Sequence, residues 1–204
     1  MASKYKNEAS SIYIDGTDVP KNKFNLTNSI QIHELERELI KEAYETFYDE
    51  LDEDTVFDEN YLKSLHKRTF GEIYEWAGVY RDFNMSKGES RFCQGSFVIS
   101  SSKKIFEELK KDNYLKDYGN KSKEEFAKKL VYFKCEINAL HPFCELNGRI
   151  TRMFFDMIVA FNGYKFIDYS TVTSKHYISC AIECVQFADE SGFEEIILNG
   201  LKKR

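Results

Sequence analysis

The run His141-Pro142-Phe143-Cys144-Glu145-Leu146-Asn147-Gly148-Arg149-Ile150-Thr151-Arg152 constrains the fold more than any other stretch. Upstream of it, Phe126, Leu130, Phe133, Ile137 and Leu140 recur at intervals of three and four. Downstream, Ile150, Met153, Phe154, Met157, Ile158 and Phe161 repeat that spacing. Both patterns predict helices with one apolar face. Two core helices must therefore be joined by a short polar turn. Pro142 has no amide hydrogen and disfavours helical backbone at His141, so the first helix is expected to end there.

The turn carries residue types that suit phosphate chemistry. Asn147 can cap the second helix, and Gly148 lets the backbone approach a ligand closely. Free amides at that helix start, with the positive end of its dipole, form an anion site. Arg149 and Arg152 are three residues apart and can face one phosphate chain. Glu145 is a hard oxygen ligand of the kind that holds magnesium beside phosphates. His141 is the nearby side chain whose ordinary pKa suits a general base at neutral pH. The five cysteines include no Cys-x-x-Cys pair, and they read as reduced, mostly buried thiols. A zinc site at Cys180 and Cys184 lacks histidine partners, and Cys144 as a nucleophile lacks a second histidine to activate it.

This run closely resembles the signature of the Fic (filamentation induced by cAMP) family, His-x-Phe-x-Asp/Glu-Gly-Asn-Gly-Arg-x-x-Arg. A second block, Phe70-Gly71-Glu72-Ile73-Tyr74-Glu75-Trp76-Ala77-Gly78-Val79-Tyr80-Arg81, resembles that family's Leu-Phe-x-x-Ile-Tyr-x-Trp-Ala-Gly-x-x-Arg. Val19 to Leu26 resembles its entry segment, Leu-x-Asn-Lys-x-Gly-Ile, with Asn25 in place of glycine. The resemblance implies an all-α Fic fold, a helical bundle around a central helix-loop-helix, with a small β-hairpin flap. It implies a protein adenylyltransferase that moves AMP from ATP, with magnesium, to a Tyr, Thr or Ser hydroxyl of a target protein. His141 would be the base, Phe143 the anchor of the loop and Glu145 the magnesium ligand. The Leu146 amide, Asn147, Gly148 and Arg149 would cradle the α and β phosphates, and Arg152 would reach the γ phosphate. Leu146 departs from the pattern, since it stands where the family usually has glycine. Leucine is strained there if the position needs positive φ and costs less if only the amide is used; Leu146→Gly is expected to keep or raise activity. The alternatives are transfer of another nucleotide or a phosphoryl group, and a catalytically weakened nucleotide- or protein-binding module. The related Doc kinases carry lysine where this chain has Gly148, which argues against phosphoryl transfer.

The 204 residues are expected to form one domain, with a core at about 25–170, an irregular arm over 1–22 and closing helices over 174–201. About eight helices are expected. One runs from Ser29, capped by Ser29 or Asn28, to Phe47, with Leu35, Leu39, Ala43 and Phe47 as its apolar stripe. Another starts near Glu59, and a third is capped by Ser101 or Ser102. Trp76 reads as a core aromatic, His66 as structural and Arg81 as a brace for the loop or the flap. Glycines around short aromatic and β-branched stretches predict a hairpin within Ser86–Ser100. It resembles the family's flap, which holds the target by strand addition; Lys87, Gly88 and Phe92 would face nucleotide or target. Asp156 either pairs with Arg152 or faces water, and Tyr164, Phe166, Ile167 and Tyr169 could line the base pocket. The net charge of −5 and the absence of a basic run argue against broad nucleic-acid binding. No apolar stretch opens the chain, so the expectation is a cytoplasmic protein without membrane attachment. Ser179 to Glu183 and Ser191 to Glu195 each miss the family's inhibitory pattern, Ser/Thr-x-x-x-Glu-Gly/Asn. An inhibitor would then be a separate small antitoxin carrying it.

Overall fold

The computed structural model describes residues 6–7 and 12–204. Seven α-helices make up most of them: α1 Ser29–Asp49, α2 Glu59–Phe70, α3 Val98–Lys111, α4 Lys123–Leu140, α5 Asn147–Phe161, α6 Ser174–Phe187 and α7 Ser191–Gly200. Short strands β2 (Met85–Lys87) and β3 (Ser90–Arg91) form a hairpin, and β1 (Lys6–Asn7) pairs antiparallel with β2. Helix starts follow side-chain capping. The Asn28, Asp58, Ser122 and Thr173 side chains accept from the amides of Ile30, Tyr61, Glu125 and His176. α5 ends at Asn162, and Gly163 then takes a left-handed conformation, as a helix stop requires.

α5 is the hub. Its residues from Ile150 through Ala160 are buried except Arg152. It packs against α1, α2 and α4, while α4 also packs against α3, α6 and α7. The helix-loop-helix thus sits at the centre of the bundle, as expected.

Three features differ from the sequence reading. The stretch from Gly95 is not strand: Gly95–Phe97 is one 3-10 turn and α3 begins at Val98. Val98, Ser102, Ile105, Phe106 and Leu109 are buried, a helical spacing that extends back past the expected cap. The hairpin is therefore confined to 85–91. On α1 the buried stripe is Ile32, Glu36, Ala43 and Phe47, while Leu35 and Leu39 are only partly buried. Finally, Cys135 of α4 and Cys184 of α6 form a disulfide, their Cα atoms 5.7 Å apart, where reduced thiols were expected. The packing of these two helices brings the pair within bridging distance; Cys93, Cys144 and Cys180 remain free. Among the described residues no helix is long and apolar enough to cross a membrane.

Candidate active site

The loop between α4 and α5 is fixed from four sides. His141 closes α4 in a left-handed conformation, φ 47°, at a position where the following proline disfavours continuing the right-handed helix. Phe143 is buried and stacks on the His66 ring, with centroids 4.0 Å apart. Asn147 does not cap α5 as expected. Its side chain spans the loop instead, accepting from the Phe143 amide and donating to the Phe143 carbonyl, both at 2.8 Å. Leu146 takes the cap position with no side-chain oxygen to offer. The helix-start amides of Asn147 and Gly148 thus gain no capping partner among the described residues. A Cβ on Gly148 would meet nothing within 4 Å, so the space beside that residue is open.

Two residues outside the loop hold it. Arg81, 2% exposed, donates from Nε to the His141 carbonyl at 2.7 Å and from one terminal nitrogen to Leu140 and Cys93. The other terminal nitrogen reaches the Phe83 carbonyl at 2.6 Å. It therefore joins the end of α4 to both arms of the hairpin. His66 is fully buried. Its Nδ1 accepts from the Gly78 amide at 3.0 Å, so Nε2 carries the proton and donates to the Glu145 carbonyl at 3.2 Å. Trp76 is half-buried and stacks on Tyr74 at 4.4 Å.

The other candidate site residues lie on and around this frame. The His141 ring stacks against Phe92 at 3.7 Å, which places the flap's aromatic on the imidazole. Lys87 and Gly88 lie at the exposed hairpin turn. Glu145 is buried; Oε1 accepts from the Tyr13 hydroxyl at 2.6 Å and Oε2 from the Leu146 amide at 3.3 Å. Arg149 donates to Glu36 at 2.7 Å, and Glu36 also accepts from the Tyr74 hydroxyl at 2.7 Å. Tyr13, Tyr74 and Glu36 were not found from sequence. Glu36 alone left a signal, since it occupies a stripe position between Ile32 and Ala43.

Arg152 lies between Tyr169 and Tyr177, its guanidinium carbon 4.5 and 4.8 Å from their ring centres. Asp156 does not pair with it. The carboxylate accepts from the Tyr44 hydroxyl at 2.7 Å and from the Ile167 amide at 3.1 Å, because its helical position turns it into the core. Of the four residues proposed for a base pocket, only Tyr169 lines a cavity beside Arg152. That cavity, about 400 Å³, is also walled by Val172, Ser174, Tyr177 and Ile178. Tyr164 and Ile167 are buried in the core, and Phe166 packs edge-on against Tyr44 and Tyr48. Burial pushes the Cys144 thiol up to about 11, so it is a poor nucleophile.

Leu146 has φ 66° and a buried side chain, so both costs of replacing it can be weighed. Glycine relieves strain of order 1 kcal/mol but gives up burial of a leucine, about 2–5 kcal/mol. Leu146→Gly is expected to lower stability by about 2 kcal/mol in chemical denaturation, with transfer per folded molecule retained. A variant as stable as the parent would contradict this.

Burial also sets two opposed proton affinities. It lowers His66 to about 4, so the unfolded chain takes up a proton between pH 6.5 and 4 and the fold loses stability as pH falls. It raises Asp156 from 3.8 to about 6, so the folded chain takes up a proton between pH 6 and 4 and gains stability over that range. Each contribution is on the order of 3 kcal/mol, and they offset. Asp156→Asn is expected to remove the largest offset to His66, so the melting temperature of the variant falls more steeply between pH 6.5 and 4.5 than that of the parent. Equal slopes would refute the pairing.

A profile of the Fic/DOC family matches residues 56–159. The chain is 32% identical over 167 residues to the probable protein adenylyltransferase y4lH of Sinorhizobium fredii, covering 82% of this chain and 83% of that protein. It is 34% identical over 127 residues to the protein adenylyltransferase VbhT of Bartonella schoenbuchensis, covering 62% of this chain but 26% of that longer protein. It spans about half the length of the probable protein adenylyltransferase Fic of Escherichia coli, at 29% identity over 52% of this chain. Among solved structures, the BepC protein of Bartonella tribocorum with bound AMPPNP superposes with a TM-score of 0.82 at 23% identity, covering 97% of this chain and 98% of that one.

Proposed function

The chain belongs to the Fic/DOC family, and from that membership we propose that it is a protein adenylyltransferase, transferring AMP from ATP to a hydroxyl side chain of a target protein. The observation that carries this reading is the start of α5: uncapped amides under open space at Gly148, with two arginines on the same helix turn and His141 across the loop. The target hydroxyl oxygen attacks the α phosphorus in line, its proton passes to His141, and pyrophosphate leaves. Phe92 stacked on the imidazole keeps the ring in one plane. The amides of Asn147 and Gly148 and the Arg149 guanidinium receive phosphate oxygens, contributing mainly electrostatic stabilisation. The base lies in the cavity walled by Tyr169, Tyr177, Val172 and Ile178, beside Arg152 and Ser174.

Glu145 fits magnesium. It is a buried hard-oxygen donor beside the phosphate amides, and a single carboxylate with phosphate oxygens and waters is a usual magnesium set. Bound there, the ion would neutralise charge on the phosphates. The tyrosine hydroxyl on Oε1 fixes the carboxylate's orientation.

A target segment added to the flap as a strand meets one constraint in this chain. The β3 side faces α6, where Gln186 donates to the Ser90 hydroxyl at 3.0 Å, and β1 pairs along β2. A target strand on β2 therefore displaces Lys6 and Asn7. The inhibitory pattern is incomplete on α6, where Ser179 bonds Glu183 at 3.2 Å. Inhibition then falls to a separate small antitoxin carrying Ser-x-x-x-Glu-Gly.

The direct test is mass analysis of candidate target proteins incubated with magnesium and ATP, seeking one added AMP. Label carried over from the γ phosphate alone would favour the phosphoryl-transfer alternative. Gly148→Ala sharpens it. The added methyl meets no protein atom and alanine favours helix by up to about 1 kcal/mol, so the fold is expected to hold. The methyl enters the proposed phosphate space, and ATP affinity is expected to fall by about tenfold, roughly 1.4 kcal/mol. Undiminished ATP binding would remove the α5 amides from the site.

A further inference from the structure

A second cavity, about 310 Å³, lies on the other side of Arg152, between α1 and α5, lined by His33, Arg37, Ile40, Tyr44, Arg149 and Arg152. Three guanidinium groups and an imidazole face it, and no carboxylate lines it. Bringing like charges around one space costs free energy unless an anion offsets it. His33 and Arg37 are four residues apart on α1 and therefore share a face. Both are exposed, and Arg37 forms no ion pair among the described residues. The buried Nε of Arg152 likewise has no hydrogen-bond partner there. The two carboxylates behind its walls are both spent: Asp156 is buried and bonded to Tyr44 and the Ile167 amide, and Glu36 is 3% exposed and bonded to Tyr74 and to one nitrogen of Arg149. That bond holds Arg149 by one end, and the rest of its donor fork remains for a ligand.

We propose that this cavity receives the β and γ phosphates of the nucleotide and the pyrophosphate that leaves, with Arg37 and His33 of α1 as direct contacts and Glu36 as the residue that positions Arg149. The two cavities meet at Arg152. Beyond the shared Arg152, the first is walled by two tyrosines, Val172, Ile178 and Ser174, with no further cation, and the second by Arg37, Arg149 and His33 beside Ile40 and Tyr44, which sets the cationic groups on the phosphate side. Neither Arg37 nor His33 lies in the loop signature, so the assignment adds an α1 contribution to the site. Because Arg37 would touch only the distal phosphates, it discriminates nucleotides by their phosphate number and affects AMP little.

This inference rests on the nucleotide site proposed above, and the experiment separates the two. Binding of ATP, ADP, AMP and inorganic pyrophosphate to the full chain is measured by calorimetry for the parent, Arg37→Gln, His33→Asn and the double variant. Both positions are exposed, and melting curves are expected to match. For Arg37→Gln the affinities for ATP and pyrophosphate are expected to fall about tenfold and that for AMP to stay within about twofold, with Arg37→Lys recovering part of the loss. ATP and pyrophosphate affinities unchanged in the double variant, while Gly148→Ala still weakens ATP, would overturn the α1 assignment and leave the site standing. Equal losses for ATP and AMP would also overturn it. A parent chain that binds no ATP would sink both.

Discussion

His141→Ala is expected to lower AMP transfer by about 10²–10⁴-fold, the usual contribution of a positioned general base, while ATP still binds. The imidazole stacks on Phe92, whereas the proposed phosphate cradle is built from α5 main-chain amides, so loss of the ring removes the proton acceptor and leaves that cradle. The backbone of His141 does separate work: its amide closes α4 on Ile137 and its carbonyl receives Arg81. Neither bond depends on the side chain. Alanine does tolerate left-handed backbone less well than asparagine, at a cost of about 1 kcal/mol, so His141→Asn is the better-folded companion. Labelling of a lysate with ATP carrying the label at the α phosphate reads transfer, and calorimetry reads binding. If either variant labels as strongly as the parent, another group takes the proton.

The candidate loop was legible because its residues are contiguous. A helix that must stop at a proline, a second helix that restarts within a few residues and two arginines one turn apart are local facts, set by spacing and steric exclusion. Helices α1, α2, α4, α5, α6 and α7 followed from the same periodicity. What stayed hidden was paired across the chain. Tyr13 reaches Glu145 over 132 positions, and Glu36 reaches Arg149 over 113; no local rule couples residues so far apart. Glu36 was passed over because a glutamate in an apolar stripe reads as a break in it, whereas burial here is offset by two short hydrogen bonds. Asp156 misled in the opposite way. Its spacing from Arg152 fits a helical ion pair, but its position on the buried face gave it to Tyr44 and Ile167. The start of α3 was missed because Val98 and Ile99 favour strand locally, and only the burial of Ser102 and Ile105 shows that helix wins.

Arg81→Met is expected to be the most damaging single change to the fold. The methionine keeps most of the length and removes every donor. Four carbonyl oxygens, those of His141, Leu140, Phe83 and Cys93, then lose their partner together. Two of them belong to the C-terminal end of α4, where unsatisfied carbonyls and the negative end of the helix dipole favour a cation. Leaving one buried acceptor unpaired costs about 1–3 kcal/mol, and relaxation around the site lets some of the four find water. A net loss of about 4 kcal/mol is therefore expected, which for a chain of this size lowers the melting temperature by on the order of 10 °C. Lysine keeps the charge but not the planar fork, so Arg81→Lys is expected to recover less than half of the loss. The damage should also reach function at temperatures where the variant is folded. Arg81 supplies the side-chain tie between the backbone beneath His141 and the strands flanking Phe92, leaving the Cys93 amide bond to the Ala139 carbonyl and the Phe92 stack to hold them without it. Transfer per folded molecule is then expected to fall, while the α5 amides, held by Asn147 and Phe143, still bind ATP. A variant that melts within a few degrees of the parent would mean that the four carbonyls are satisfied some other way, and that the Cys93–Ala139 main-chain bond and packing suffice to couple the flap to the loop.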